Sequence, residues 1–156
     1  MTDPSLADWL AAQRFPAGGI NAVANAMTPL MKASHLGDSG IVRLLIMAGA
    51  ELNARNADGN TALWLACVGS HLDIIDMLVA AGTNIDNKND NGATALMYAA
   101  SSGKAGVVER LLAREADVTA QTPEGFSALD LASTIECLAL LRPPRSPAKT
   151  ARSPIP

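Results

Sequence analysis

The residues that could do chemistry are few, and they stand apart along the chain. His35 and His71 both lie near predicted turns between helices, and no nucleophile–base pair is visible around either. Cys67 and Cys137 are isolated from each other, and no C-x-x-C, H-E-x-x-H or G-x-S-x-G spacing is present. The sequence therefore predicts no catalytic residue, no metal site and no cofactor, in a protein that is not an enzyme.

The segment from Asn87 to Tyr98 comes nearest to a ligand-binding motif. It places Asn at positions 1, 3 and 5 and Gly at position 6, as in a calcium-binding loop. Such a loop requires Asp at the first position and a bidentate Glu at the twelfth, where this chain has Asn87 and Tyr98. Calcium binding is therefore not expected, and Gly92 has a different explanation in the repetition of the chain.

The chain repeats itself at a fixed step. The stretch TALWLACVGS, which begins at Thr61, returns as TALMYAASSG at Thr94. The same step leads back to TPLMKASHLG at Thr28 and forward to SALDLASTIE at Ser127. A fixed period of about 33 residues is typical of arrays in which similar structural units stack side by side.

Each period predicts a turn, a short helix, a second short helix and a loop. In the unit that begins at Asp58, the Asp-Gly pair forms the turn and Thr61 stands at the N-cap of the first helix. Gly69 and Ser70 end that helix, and Gly82 suits the left-handed position after the second. Because neither helix is long enough to be stable alone, each must bury its apolar stripe against the next unit.

These units resemble the ankyrin repeat, on the following stretches: TPLMKA and GIVRLLIMAGAELN, DGNTALWLA and HLDIIDMLVAAGTNID, NGATALMYA and GVVERLLAREADV, and EGFSALDLA. The resemblance extends from Asn25 to Leu141, with units that start near 25, 58, 91 and 124. It implies an all-α, ankyrin-type solenoid of stacked antiparallel helix pairs with projecting turns.

Several positions depart from the family pattern. The His that follows Thr-Pro-Leu in the family is replaced here by Met31, Trp64, Met97 and Asp130. Apolar packing must therefore replace the hydrogen bond that this His usually makes. Glu115 stands where Gly49 and Gly82 predict a glycine in the left-handed conformation. The fourth unit lacks its glycine turn, so its second helix is expected to be shortened, fused with the first, or missing.

The two ends of the chain do not follow the period. In residues 1–24, Leu6, Trp9 and Leu10 form one apolar stripe, which predicts a capping helix over the first unit, followed by a linker. A partner-binding or membrane-surface helix is the alternative. Residues 142–156, with five prolines and four basic residues, predict a disordered tail, with a proline-rich binding segment as its alternative.

Charge and composition restrict the class of partner. The chain has 12 basic and 15 acidic residues, and four of the basic ones lie in the tail, so the body keeps 8 against 15 and a charge of −7. This argues against nucleic acid and favours a partner with a basic surface. No run of 18 apolar residues predicts a membrane span, and no secretory signal is visible. Isolated cysteines fit a reducing setting, so we expect a cytoplasmic protein.

A stacked surface without catalytic residues predicts a protein–protein interaction module that acts as an adaptor, inhibitor or regulator of one or a few partners. The alternative is a structural protein that associates weakly with itself through the C-terminal end of the stack, and an enzyme is a remote third possibility. In the ankyrin family, partners contact the projecting turns and the concave face of the first helices, and we expect the same here.

The helical period predicts which side chains face that concave surface. Positions four and seven residues after each capping Thr or Ser point away from the core, so Leu65, Val68 and Tyr98 are expected to form an exposed apolar strip. Substitution of Leu65 or Tyr98 by Asp should then abolish binding and leave the fold intact. The alternative is that both pack against neighbouring units. The predicted partner-binding residues are Lys32, His35, Leu36, Asp58, Asn60, Trp64, Leu65, Val68, Asp90, Asn91, Tyr98, Ser101 and Phe126.

Overall fold

A computed structural model of the protein describes residues 4–24 and 26–143. This part of the chain contains helices and no β-strand, with two isolated β-bridges. The helices are α1 (Pro4–Ala12), α2 (Pro29–Leu36), α3 (Ser39–Met47), α4 (Ala62–Val68), α5 (Leu72–Ala81), α6 (Ala95–Ser101), α7 (Ala105–Ala113), α8 (Ala128–Leu131) and α9 (Ile135–Leu141). None of these helices is long and apolar enough to cross a membrane.

The helices form four pairs that stack in chain order. The first helices of the pairs, α2, α4, α6 and α8, pack in one row, and the second helices, α3, α5, α7 and α9, pack in another. The core lies between the rows, where leucines at equivalent positions of successive units are almost fully buried: Leu30, Leu63 and Leu96 in the first row, and Leu45, Leu78 and Leu111 in the second. The predicted all-α solenoid of helix pairs is confirmed.

The capping residues position the first helix of each pair. The hydroxyl oxygens of Thr28, Thr94 and Ser127 accept hydrogen bonds from the backbone N–H three residues later. Thr61 has the same extended backbone and is buried, but its side chain makes no capping bond. The predicted helix starts are therefore confirmed, and one of the four depends on packing rather than on a side-chain cap.

Neighbouring pairs are joined by hydrogen bonds at the ends of the first helices. The Nε2 atom of His71 lies 3.1 Å from the carbonyl oxygen of His35. In the next unit, Lys104 occupies the position of His71, and its Nζ donates to the carbonyl oxygen of Val68 at 3.0 Å. The chain thus makes the same connection with two different side chains, and His71 has a structural role in this contact.

In the first three units, apolar side chains occupy the position of the His that follows Thr-Pro-Leu in the family. Met31 and Met97 are almost fully buried, and the ring of Trp64 lies 5.0 Å from the ring of Tyr98 in the next unit. Apolar and aromatic packing therefore replaces the missing hydrogen bond in these units, as expected.

The fourth pair is the shortest. Its second helix, α9, is present and separate, with seven residues, so it is neither missing nor fused with α8. The larger change is in the first helix, because α8 ends after four residues at Leu131, whereas α4 and α6 have seven. The expected shortening of the second helix is found, since α9 has seven residues where α3, α5 and α7 have nine or ten. The shortening of α8 was not predicted.

The N-terminal helix lies beside the first pair. Leu6 and Leu10 are buried, α1 packs against α3, and the rings of Trp9 and Phe15 stack with 6.1 Å between centroids. This arrangement is compatible with a capping role for residues 1–24. In the predicted tail, Arg142 and Pro143 are exposed, and residues 144–156 lie outside the described residues.

The loops after the second helices contain the predicted left-handed residues. Gly82 has a φ of 107° and Glu115 has a φ of 64°. We expect Glu115→Gly to leave stability unchanged or to raise it by up to about 1 kcal/mol, because it removes the strain of a side chain in this conformation. Gly82→Val should lower stability by about 1 kcal/mol or more. No atom lies within 4 Å of the position of a Cβ at Gly82, so the expected cost comes chiefly from backbone strain.

Urea unfolding of the two variants beside the wild type measures both effects. Clear destabilisation by Glu115→Gly would contradict the assigned conformation of the third loop.

Both cysteines are free and fully buried. Burial raises the pKa of the Cys67 thiol to about 12, although the nearby Lys104 acts in the opposite direction. Since the thiolate is the reactive form and the reagent cannot reach a buried sulfur, we expect Cys67 to be unreactive towards Ellman's reagent at pH 8 in the folded protein, and Cys137 to be unreactive because of its burial. Two thiols should react at once in guanidinium chloride. Rapid reaction of a thiol without denaturant would mean that one pair opens locally.

Candidate functional site

A groove of about 280 Å³ lies on the row of first helices, between α4, α6 and α8 and the turns that precede them. It is lined by Trp64, Asn89, Asn91, Ala93, Met97, Tyr98, Ser101 and Leu131. None of these residues carries a charge at neutral pH. The groove therefore offers an apolar and aromatic surface together with amide and hydroxyl groups.

Two aromatic rings from neighbouring units form one wall. Trp64 and Tyr98 are half-buried, with ring centroids 5.0 Å apart and planes tilted by 41°. Among the described residues, the indole N–H of Trp64, the hydroxyl of Tyr98 and the side-chain amide of Asn91 have no hydrogen-bond partner. Polar groups of three residues thus remain available beside the aromatic wall for a bound molecule.

A network of asparagines holds the turns next to the groove. The side-chain oxygen of Asn89 accepts hydrogen bonds from the backbone N–H groups of Asn91 and Ala93, each at 3.0 Å. Its Nδ2 donates to the side-chain oxygen of Asn60 on the preceding turn, at 3.0 Å. The groove edge is therefore built from turns that are tied to one another, and Asn60 acts in that connection.

Basic side chains at the bases of the turns point toward the next unit. Arg55 donates to the carbonyl oxygen of Lys88 at 3.0 Å and pairs with the Asp90 carboxylate at 3.1 Å. Lys88, one period after Arg55, donates in turn to the carbonyl oxygen of Gln121 at 3.2 Å. Asp90 is exposed, but its charge is already paired with that of Arg55.

Three carboxylates without an ion-pair partner stand on the turns and the helix that adjoin the groove. Asp58 and Glu124 are exposed and occupy the same turn position as Asn91 in the units before and after it. Asp130, which precedes Leu131 on α8, is also exposed, and its carboxylate caps that helix by accepting from the backbone N–H of Ser127 at 2.9 Å. In the described part of the chain none of the three forms a salt bridge. The edge of the groove is therefore acidic.

The structure brings together four of the thirteen predicted residues: Trp64, Asn91, Tyr98 and Ser101 line the groove. Four other lining residues were not predicted, namely Asn89, Ala93, Met97 and Leu131. A signal for Leu131 was present in the sequence, because it stands one period after Tyr98. The other predicted residues lie outside the lining.

Leu65 contradicts the predicted exposed strip, because only 8% of its surface is accessible. Its helix lies between α2 and α6, and a leucine at this position is too short to extend beyond those neighbours. Tyr98 occupies the same register in α6 and remains half-exposed. Val68 is also half-buried. The continuous apolar strip predicted from the period is therefore replaced by a local groove.

The remaining predicted residues are separated from the groove lining. Lys32, His35 and Leu36 lie on α2, where Lys32 is half-buried and the other two are exposed. Phe126 is exposed on the last turn, with 49% of its surface accessible. These residues belong to the same face of helices and turns without forming part of one pocket.

Comparison with known proteins agrees with this architecture. A family profile described as ankyrin repeats (3 copies) matches residues 2–89 and 71–145. Over 52 residues the chain is 50% identical to ankyrin repeat domain-containing protein 63 of Mus musculus and 48% identical to the Homo sapiens protein of the same name. Each match covers 31% of this chain, and 13% and 14% of the two relatives respectively. Since the profile matches cover more than half of the chain, this protein belongs to the ankyrin repeat family.

Proposed function

We propose that the protein is a non-catalytic module that binds one or a few protein partners and acts as an adaptor, inhibitor or regulator. Ankyrin repeats generally serve as protein–protein interaction modules, and that general role applies to this family member. The proposed binding surface is the groove between α4, α6 and α8 together with the exposed residues of the turns. The cytoplasm is the proposed location.

One observation carries this proposal: an aromatic wall lies beside polar groups that have no partner in the described chain. Trp64 and Tyr98 are half-buried and keep part of their surface accessible, and tyrosine and tryptophan are enriched among residues that dominate binding energy. The amide of Asn91 lies in the same groove. A protein surface with this composition matches the buried centre of an interface, surrounded by a polar rim.

The chain is proposed to divide into residues 1–24, which cap the stack and lead into it, residues 25–141, which form the stack, and residues 142–156, a tail. Within this division the partner contacts the second, third and fourth units. The acidic edge formed by Asp58, Glu124 and Asp130 favours a partner with a basic surface, as the overall charge of the body also does.

Affinity capture from a native lysate, with the full chain as bait, tests the proposal. We expect a partner to be recovered at constant ratio by the wild type and lost with Tyr98→Ala, with mass spectrometry as the readout. Recovery of the bait alone, with a doubled mass in light scattering, would support self-association instead. Equal recovery of the partner by both baits would place its binding surface elsewhere.

A further inference from the structure

We propose that the groove between α4, α6 and α8 binds a short extended peptide segment of the partner, in which one apolar residue is flanked by lysine or arginine. This inference rests on the proposed function, because it specifies the part of the partner that enters the proposed surface.

The lining of the groove points to an apolar anchor. Its volume of about 280 Å³ is at the lower end for ligand sites, which suits one side chain rather than a folded surface. Trp64, Tyr98 and Leu131 provide apolar contact on the sides, Met97 is buried beneath them, and no lining residue has a charge that would pair with a charged side chain. An aliphatic or aromatic residue is therefore the group that gains most from entering.

The free polar groups point to the main chain of an extended segment. The side-chain amide of Asn91 offers one acceptor and two donors, so it can pair with both the N–H and the C=O of a peptide unit. The hydroxyl of Tyr98 can both donate and accept a hydrogen bond, and the indole N–H of Trp64 can donate one. Regular helices already use their main-chain groups internally, whereas an extended segment leaves them available.

The charges around the groove decide which residues flank the anchor. On the adjoining turns, Asp58 and Glu124 have no ion-pair partner in the described chain, and Asp130 adds a third carboxylate on α8. Arg55 is paired with Asp90, and Lys88 donates to the carbonyl of Gln121 while it keeps its charge. The four carboxylates of these turns and α8, counting Asp90, therefore outnumber the two cations. Basic residues on either side of the anchor therefore meet unpaired carboxylates, which also accelerates association at low salt.

Three synthetic peptides of equal length test the inference. The first has a central leucine with two arginines on each side, the second has serine in place of the leucine, and the third has glutamates in place of the arginines. The fluorescence of Trp64 reports binding in the full chain with Trp9→Phe, which leaves Trp64 as the single tryptophan. Trp9 stacks on Phe15 in the N-terminal helix, so its replacement leaves the groove unchanged.

We expect the leucine–arginine peptide to bind at least about tenfold more tightly than either of the others. Asn91→Ala and Tyr98→Ala should each weaken this binding by about tenfold or more, provided that urea unfolding shows the variants to be folded. Met47→Ala is the matched control, since this exposed apolar residue lies at the end of α3, in the row of second helices, and it should leave binding unchanged.

Four results would overturn the inference. Equal binding of the leucine and serine peptides would reduce the interaction to charge alone, and failure of all three peptides to bind would exclude this occupant. If the leucine–arginine peptide binds at least tenfold more tightly to a chain that ends at Pro143 than to the full chain, the occupant of the groove is residues 144–156. If the protein forms dimers and the peptide dissociates them, the occupant of the groove is a second copy of the chain. If none of the three peptides binds but the wild type still captures a partner that Tyr98→Ala does not, the proposed function remains supported.

Discussion

A chain with Leu65→Asp is expected to lose its fold, with the free energy of unfolding reduced by about 4 kcal/mol or more. Leu65 is 8% accessible and lies on α4, which packs between α2 and α6. The substitution removes a buried leucine and places a carboxylate at a position that is almost closed to water. Since small domains have a total stability of about 5–15 kcal/mol, this loss is large enough to populate the unfolded state.

Circular dichroism and urea unfolding measure the effect of this change, and two variants serve as its controls. Leu65→Met keeps the volume and should cost less than about 1.5 kcal/mol. Val68→Asp places the same charge one turn later on the same helix, at a half-buried position, and should cost clearly less than Leu65→Asp. A melting temperature for Leu65→Asp within a few degrees of the wild type would contradict the burial of Leu65 and would support the exposed position that its register predicts.

The second large effect concerns binding. Tyr98→Ala is expected to weaken the affinity for the captured partner by at least about 30-fold, corresponding to about 2 kcal/mol, because truncation of a central aromatic residue removes one wall of the groove. The remaining wall, Trp64, also loses the ring that packs against it at 5.0 Å. Isothermal titration with the purified partner gives the affinity, and a melting curve establishes that the variant is folded at the temperature used.

Two further variants separate the role of the ring from that of its hydroxyl. Tyr98→Phe keeps the aromatic wall and should retain most of the affinity, with a loss of about 1 kcal/mol if the hydroxyl donates to the partner. Phe126→Ala removes a more exposed aromatic residue, on a turn outside the groove, and should cost clearly less affinity than Tyr98→Ala. Similar losses for Tyr98→Ala and Phe126→Ala would indicate a broad contact over the turns rather than an anchor in the groove.

Much of the local structure was predictable because it depends on residues close together in sequence. The capping Thr and Ser, the helix pairs and the left-handed Gly82 and Glu115 all follow from short patterns that recur once in each period. The last unit was partly predictable, since its missing glycine turn indicated a shorter second helix, and α9 has seven residues where α3, α5 and α7 have nine or ten. The shortening of α8, which ends after one turn at Leu131, was not indicated by the sequence.

The binding surface was only partly predictable, as Leu65 and Tyr98 demonstrate. They stand one period apart in the same register, so the repeat assigns them the same direction from the helix axis. Their exposure differs because it also depends on the length of each side chain and on the side chains of neighbouring units, where Trp64 packs beside Tyr98. The connection between turns likewise joins residues of successive units, such as Asn60 and Asn89.

The sequence by itself therefore determined the family, the period, the helices and the absence of any recognisable catalytic motif, because each of these depends on residue types at fixed spacing. Only the tertiary structure decided that Leu65 belongs to the core, that Asp90 is paired with Arg55, and that Trp64, Tyr98 and Leu131 border one groove. These features arise from contacts between units, and such contacts depend on side-chain size and approach distance, which a repeated pattern along one chain does not specify.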